Sequence, residues 1–186
     1  MLLIVDDVQM GCGRTGPFFS FEHAGIVPDI VCLSKSISGY GLPMALTLIR
    51  AELDVWEPGE HTGTFRGFNP AMITATAALR AYWADDALER DTIAKGRQVT
   101  TALTAISESV PGAAPRVRGC GLAHGLAFGN GDLAEKVAYA AFESGLLVET
   151  AGPYDEVVKL MPPLTITESE LDKGLSLLAD VVRSVC

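Results

Sequence analysis

The sequence predicts a mixed α/β protein, an open sheet followed by a smaller α/β domain. Three observations carry that reading. Two apolar runs, Leu2-Leu3-Ile4-Val5 and Ile30-Val31-Cys32-Leu33, end at Asp6 and at Ser34-Lys35, as strands buried on both faces do. Beyond them the apolar spacing turns helical over residues 70–83 and 86–109. At Val110-Pro111-Gly112-Ala113-Ala114-Pro115, two prolines and a glycine interrupt the pattern and divide the chain into residues 1–109 and 110–186.

The elements follow in order. Residues 2–6 and 30–35 read as buried strands, and Met44 to Arg50 suits a third. Asn69-Pro70 is a helix start, with Asn as N-cap and Pro as the first helical residue, for a helix reaching about Trp83. A second helix over 86–109 has Leu88, Ile93, Val99, Leu103 and Ile106 on its apolar side. In the smaller domain, 117–128 reads as strand, 133–144 as helix, and 146–149 and 157–161 as strands. The last helix starts at Thr167, where Thr167 and Glu170 have capping-box spacing, and runs to about Val185.

Composition narrows the function classes. Apolar residues at 48% and charged residues at 20% are globular values, which argues against disorder. A net charge of -9 without any basic stripe argues against nucleic-acid binding. The opening Met1 to Val5 is too short for a signal-peptide core and has no basic residue before it, and no apolar run approaches a bilayer span. Cys12, Cys32, Cys120 and Cys186 show no paired spacing, nor do His23, His61 and His124 cluster with them. A reduced, metal-free cytoplasmic protein is expected.

Lys35 stands 29 residues after Asp6, and strand-end positions for both put them at one edge of a sheet, where open α/β sheets bind ligands. An amine and an acid so placed suit pyridoxal 5'-phosphate, which is tethered to a lysine and needs a carboxylate at its ring nitrogen. Around them stand Val5-Asp6-Asp7-Val8-Gln9-Met10-Gly11-Cys12-Gly13-Arg14-Thr15-Gly16, then Ser34-Lys35-Ser36-Ile37-Ser38-Gly39-Tyr40-Gly41-Leu42-Pro43. A third block is Gly59-Glu60-His61-Thr62-Gly63-Thr64-Phe65-Arg66-Gly67-Phe68-Asn69-Pro70. In this order the three blocks resemble the class III aminotransferases, enzymes of fold type I that use pyridoxal phosphate. The resemblance implies part of the large doubly wound cofactor-binding domain over 1–109 and the small C-terminal α/β domain over 110–186. The wording is most similar to the subfamily that makes L-2,4-diaminobutyrate from aspartate semialdehyde with glutamate as donor. A class III enzyme with another amino acceptor, an aminomutase, or an inactive truncated product are the alternatives.

The resemblance implies roles residue by residue. Asp6 sits against the ring nitrogen and keeps it protonated, and Lys35 is the tether and the proton carrier at the substrate's α-carbon. Asp7 points to the other side of the strand and is structural. Val8, two residues past Asp6, packs under the ring if the strand continues, and Gln9 reaches the phenolic oxygen. Gly39 and Gly41 allow backbone turns and close approach, although an ordinary loop would use them too. Thr64 contacts the cofactor phosphate of the partner subunit, which implies a homodimer; Gly63 stands where the family often has serine.

Two further positions concern the substrate. The family's ornithine and 4-aminobutyrate enzymes carry an arginine before the apolar residue and Pro-Pro pair, where it binds a substrate carboxylate; here the run is Lys159-Leu160-Met161-Pro162-Pro163. Lys159 therefore either binds glutamate or 2-oxoglutarate as a point charge, or recognition has moved. Arg118, in Val117-Arg118-Gly119-Cys120-Gly121-Leu122, reads as an interdomain ion pair in preference to a substrate contact. Arg14 and Arg66 read as structural, and His61 has no sequence partner for catalysis. The family's phosphate loop and ring-stacking aromatic lie upstream of any residue here, so the resemblance implies the C-terminal portion of a longer enzyme.

Overall fold

The computed structural model describes residues 1–63 and 66–186. Two compact units make up the chain, Met1–Arg90 and Asp91–Cys186. The expected Thr64 contact lies outside the described residues.

In the first unit, β1 (Ile4–Asp6) pairs in parallel with β2 (Ile30–Leu33), and β3 (Leu46–Ile49) closes the other side of β2 antiparallel, giving the order β1-β2-β3. An antiparallel edge strand beside a parallel pair is a common variation of the open α/β sheet. One face carries Val31 and Leu33, packed with Cys12, Ile37, Phe18, Phe19, Phe21, Met44 and Leu46. Phe18 also meets Trp83 edge-on at 4.9 Å. The expectation of fully buried strands fails at β1 and β3. Leu2, Leu3, Ile4 and Leu48 are exposed, because both strands are sheet edges among the described residues.

Helix α1 (Asn69–Tyr82) starts one residue earlier than expected. Phe68 takes the N-cap position and its carbonyl accepts from Ala71 and Met72 at 3.0 and 3.3 Å, so Asn69 caps nothing. Only Ala71 and Ala75 of α1 are buried.

The second unit begins within α2 (Ala87–Ser109), whose Val99, Leu103 and Ile106 enter its core. The expected single strand over 117–128 is instead a hairpin, β4 (Arg116–Cys120) and β5 (Ala123–Ala127), turning at Gly121 with φ 55°. Helix α3 (Gly131–Glu143) is capped by Asn130, whose side chain accepts from Leu133 N–H. The strand expected at 146–149 lies further on as β6 (Glu149–Ala151), because Leu146 and Val148 turn into the core instead of pairing. It pairs with β7 (Val157–Leu160), giving the antiparallel order β4-β5-β7-β6. Helix α4 (Glu168–Val185) opens with the expected capping box. Thr167 Oγ1 accepts from Glu170 N–H, and the Glu170 carboxylate accepts from Thr167 N–H at 3.0 Å. Hydrogen bonds donated by the Thr167 hydroxyl and then by its N–H hold the Glu170 carboxyl below the usual carboxylate range.

Helices α2, α3 and α4 supply most of this core, with Leu126 and Val158 from the sheet. Gly96 is what lets α2 approach the hairpin turn: a Cβ there would lie 2.5 Å from the Gly121 carbonyl oxygen. Among the described residues no helix is long and apolar enough to cross a membrane.

Candidate functional site

Register brings the acid and the amine to one edge of the first sheet. Asp6 is the last residue of β1 and pairs with Cys32 of β2; Lys35 stands three residues further on, at the start of a 3-10 turn over Lys35–Ser38. Both lie at the C-terminal end of the parallel pair, the edge where open α/β sheets bind ligands. Asp6 Oδ1 accepts from Val8 N–H at 3.1 Å, which orients the carboxylate and leaves its second oxygen open. The Lys35 ammonium has no hydrogen bond or ion pair among the described residues.

Lys35 is held in the left-handed region, with φ 50°, where a side chain is disfavoured and strain is stored. Its turn is over-determined by neighbours. Ser34 Oγ donates to the Met44 carbonyl at 2.7 Å, Ile37 N–H donates to the Ser34 carbonyl, and Ser38 Oγ takes Gly41 N–H at 3.0 Å. Gly39, at φ 73°, packs so closely on α1 that a Cβ would sit 2.3 Å from Ala78 Cβ. Gly41 needs only its positive φ, since nothing lies within 4 Å.

Behind the acid, Asp7 is buried and structural. Its carboxylate accepts the Ser20 N–H at 3.0 Å and the Ser20 hydroxyl, and its carbonyl accepts from Gly11 N–H. This ties down the 8–19 loop. Burial, with a smaller contribution from the Asp7 charge, pushes the Cys12 thiol up to about 11, so it stays protonated at neutral pH. Val8 and Gln9 are partly buried in the turn after Asp6; β1 ends at Asp6, so the premise of a strand continuing to Val8 is corrected.

Sequence reasoning found no partner for His61, but its ring lies 5.5 Å from that of Trp56, and Arg66 donates to its carbonyl. Also unforeseen was buried His124, bonded to Thr100 through Nε2 at 2.9 Å; burial lowers its pKa. Neither contact has a sequence signature, since both join residues unrelated by any periodicity.

Lys159 lies on β7 in the second unit, directly across from Glu149 of β6, and its Nζ is 2.8 Å from the Glu149 carboxylate. It also borders a cavity of about 250 Å³ lined by Leu147, Met161, Pro163, Ile166 and Leu175.

A parallel strand pair with an antiparallel edge strand, followed in the chain by a four-stranded antiparallel sheet, is the mixed α/β architecture this chain shares with fold type I aminotransferases. The chain belongs to the aminotransferase class-III family, whose model matches residues 1–182. It is 62% identical over its whole length to the diaminobutyrate--2-oxoglutarate transaminase of Nocardia farcinica, spanning 42% of that protein. Over 98% of its length it is 64% identical to the enzyme of the same name from Streptomyces coelicolor, spanning 44% of it. The ornithine aminotransferase of Toxoplasma gondii superposes with a TM-score of 0.89 at 30% identity, covering 100% of this chain and 44% of that one. The chain thus spans less than half the length of these relatives, and family membership implies pyridoxal phosphate as cofactor.

Proposed function

We propose that this chain acts, as part of a longer enzyme, in amino transfer from L-glutamate to aspartate semialdehyde, giving L-2,4-diaminobutyrate and 2-oxoglutarate. The observation that carries the chemistry is the pair Asp6 and Lys35 at one sheet edge, with the Lys35 amine unpartnered. The names of relatives at 62% and 64% identity support diaminobutyrate and 2-oxoglutarate as one side of the reaction. Such an enzyme serves ectoine synthesis in the cytoplasm.

The donor set fits pyridoxal phosphate. Asp6 has one oxygen committed to Val8 N–H and a second available for a ring N–H, and Lys35 offers a primary amine. When bound, the cofactor supplies the electron sink that loosens bonds at the substrate's α-carbon. Asp6 holds the proton on the ring nitrogen. Lys35 would hold the cofactor through its amine, and that amine is the group placed to move a proton at the substrate's α-carbon. Val8 would pack against the ring, Gln9 would reach its phenolic oxygen, and Thr64 would contact the phosphate in the partner subunit of a homodimer. Lys159 contributes positive charge toward a substrate carboxylate. Residues 1–109 belong to the cofactor-binding domain and 110–186 to the small domain.

The test is an assay with protein of the relatives' full length that carries this chain. Glutamate-dependent conversion of aspartate semialdehyde to diaminobutyrate is expected. Conversion of a different acceptor, with none of aspartate semialdehyde, would reject the substrate assignment.

A further inference from the structure

Asp7 stands directly behind Asp6 and commits its backbone and its carboxylate to residues of the first unit. Its N–H donates to the Cys32 carbonyl at 3.0 Å, which carries the pairing of β1 with β2 one bond past the last residue of β1. Its carbonyl accepts from Gly11 N–H at 3.0 Å, and its carboxylate accepts from Ser20 N–H at 3.0 Å and from the Ser20 hydroxyl. The fit is close: a Cβ on Gly11 would lie 2.8 Å from both the Asp7 carbonyl oxygen and its Oδ2. A buried carboxylate whose two oxygens are both bonded is costly to disturb, because each donor removed leaves desolvated charge behind. Asp7, 1% exposed, is the fixed point of this strand end.

Asp6 is held differently. It is exposed at the end of an edge strand, and the bond that orients its carboxylate comes from Val8 N–H at 3.1 Å. Asp7 lies between the two partners of that bond. Whether Val8 N–H points at Asp6 Oδ1 is set by the backbone of Asp7, which Cys32 anchors on one side and Gly11 and Ser20 on the other. Consecutive strand residues face opposite sides, so the anchor works from behind and leaves the face of Asp6 open. An aspartate freed from such a bond spreads over its staggered rotamers, and its oxygens no longer keep one direction.

We propose that Asp7 is a positioning residue for the amino-transfer chemistry: clamped by Gly11 and Ser20, it fixes the turn that aims the Asp6 carboxylate at the ring nitrogen of the cofactor. The inference rests on the reading of Asp6 above. It adds a second acid to the working parts of the first unit, one that acts through its neighbour. Held geometry is worth much here, since a misplacement of about 1 Å can cost roughly 100-fold in rate. The clamp needs hydrogen bonds more than charge. Asparagine in its place can still accept from Ser20 N–H and can donate its amide to the Ser20 hydroxyl.

Cofactor-loaded protein of the relatives' full length carrying this chain tests it. Glutamate kinetics, the thermal midpoint and the magnetic resonance of cofactor isotopically labelled at its ring nitrogen are measured together. Asp7→Ala should lower kcat roughly 10- to 100-fold with little change in the KM for glutamate, and should move the ring-nitrogen resonance toward that of the unprotonated ring. Asp7→Asn should restore most of both. Ser20→Ala, which leaves the bond from Ser20 N–H in place, should shift both in the same direction by less. A lowered midpoint in Asp7→Ala with kcat per loaded site and resonance unchanged would overturn the proposal and mark Asp7 as a residue of the fold alone. So would an Asp7→Asn protein as impaired as Asp7→Ala, which would put the effect on charge. Should Asp7→Ala fail to fold, Ser20→Ala decides, and wild-type kcat and resonance there would overturn the proposal. Asp6→Asn is the control: a resonance that it leaves unmoved would take Asp6 off the ring nitrogen and overturn the functional reading on which the proposal rests.

Discussion

The two units divide stability and chemistry between them. In the second, three helices cover one face of a four-stranded sheet, and Leu103, Leu126, Val137, Val158, Leu178 and Val182 are fully buried. In the first, four buried residues form the core cluster of a three-stranded sheet, while Leu2 is 53%, Ile4 59% and Ile73 69% exposed. Yet the first unit holds the acid, the amine and the strained backbone at Lys35. The lesson is that the densely packed core and the strained backbone at Lys35 belong to different parts of this chain.

The largest effect should come from Lys35. Lys35→Gly in cofactor-loaded protein of full family length should lower turnover by at least roughly 1000-fold, because tether and proton carrier are lost together. The same change should raise the stability of the cofactor-free protein by about 1 kcal/mol, since glycine accepts the left-handed backbone. Loss of stability along with turnover would break the division proposed between the units. Borohydride treatment of loaded protein and peptide mapping should likewise mark Lys35, and a mark on Lys95, Lys136, Lys159 or Lys173 would move the tether elsewhere.

Core truncation gives the next contrast. Leu126→Ala should cost about 3–5 kcal/mol by denaturant titration, whereas Ile4→Ser should change stability by no more than about 0.5 kcal/mol. Equal costs would mean that β1 is as well packed as β5.

Gly96→Ala should cost about 1–3 kcal/mol, because the added methyl meets backbone at the Gly121 turn and cannot rotate away. A neutral result would show that α2 and the hairpin turn separate without penalty.

The smallest effect should be that of pH on Cys12. A thiol raised to about 11 in the folded unit, against an ordinary value near 9, holds its proton more tightly when folded than when unfolded. Its contribution is complete below pH 9 and declines as pH rises toward 11. Denaturant midpoints for wild type and Cys12→Ala should therefore converge with rising pH in that window. Parallel curves would show that the thiol is not buried in solution.

Local chemistry made much of this legible beforehand. The Thr167 and Glu170 capping box, the helix over 87–109 and the strand ends at Asp6 and near Lys35 are set by neighbours a few residues apart, and spacing records such contacts. Membership of the class III family was legible for a different reason. Its three motif blocks stand in the family's order, and such a resemblance is carried by residue identity instead of spacing. Where reading failed, an element depended on something distant. The 117–128 run reads as one strand because no proline or polar turn cluster interrupts it, whereas Gly121 turns where the second strand pairs back. The segment 146–149 was read as strand because apolar runs in buried strands and in core-facing turns look alike.

The sequence by itself determined which residues could do chemistry: an acid and an amine at strand ends, with glycines placed for the turns beside them. Only the tertiary structure decided the partners. It gave Glu149 to Lys159, exposed β1, and set Lys35 in a left-handed turn pinned by Gly39 against α1. The physical reason is that strand register and the close approach of a helix are fixed by packing summed over a whole unit, and no window of sequence contains that sum.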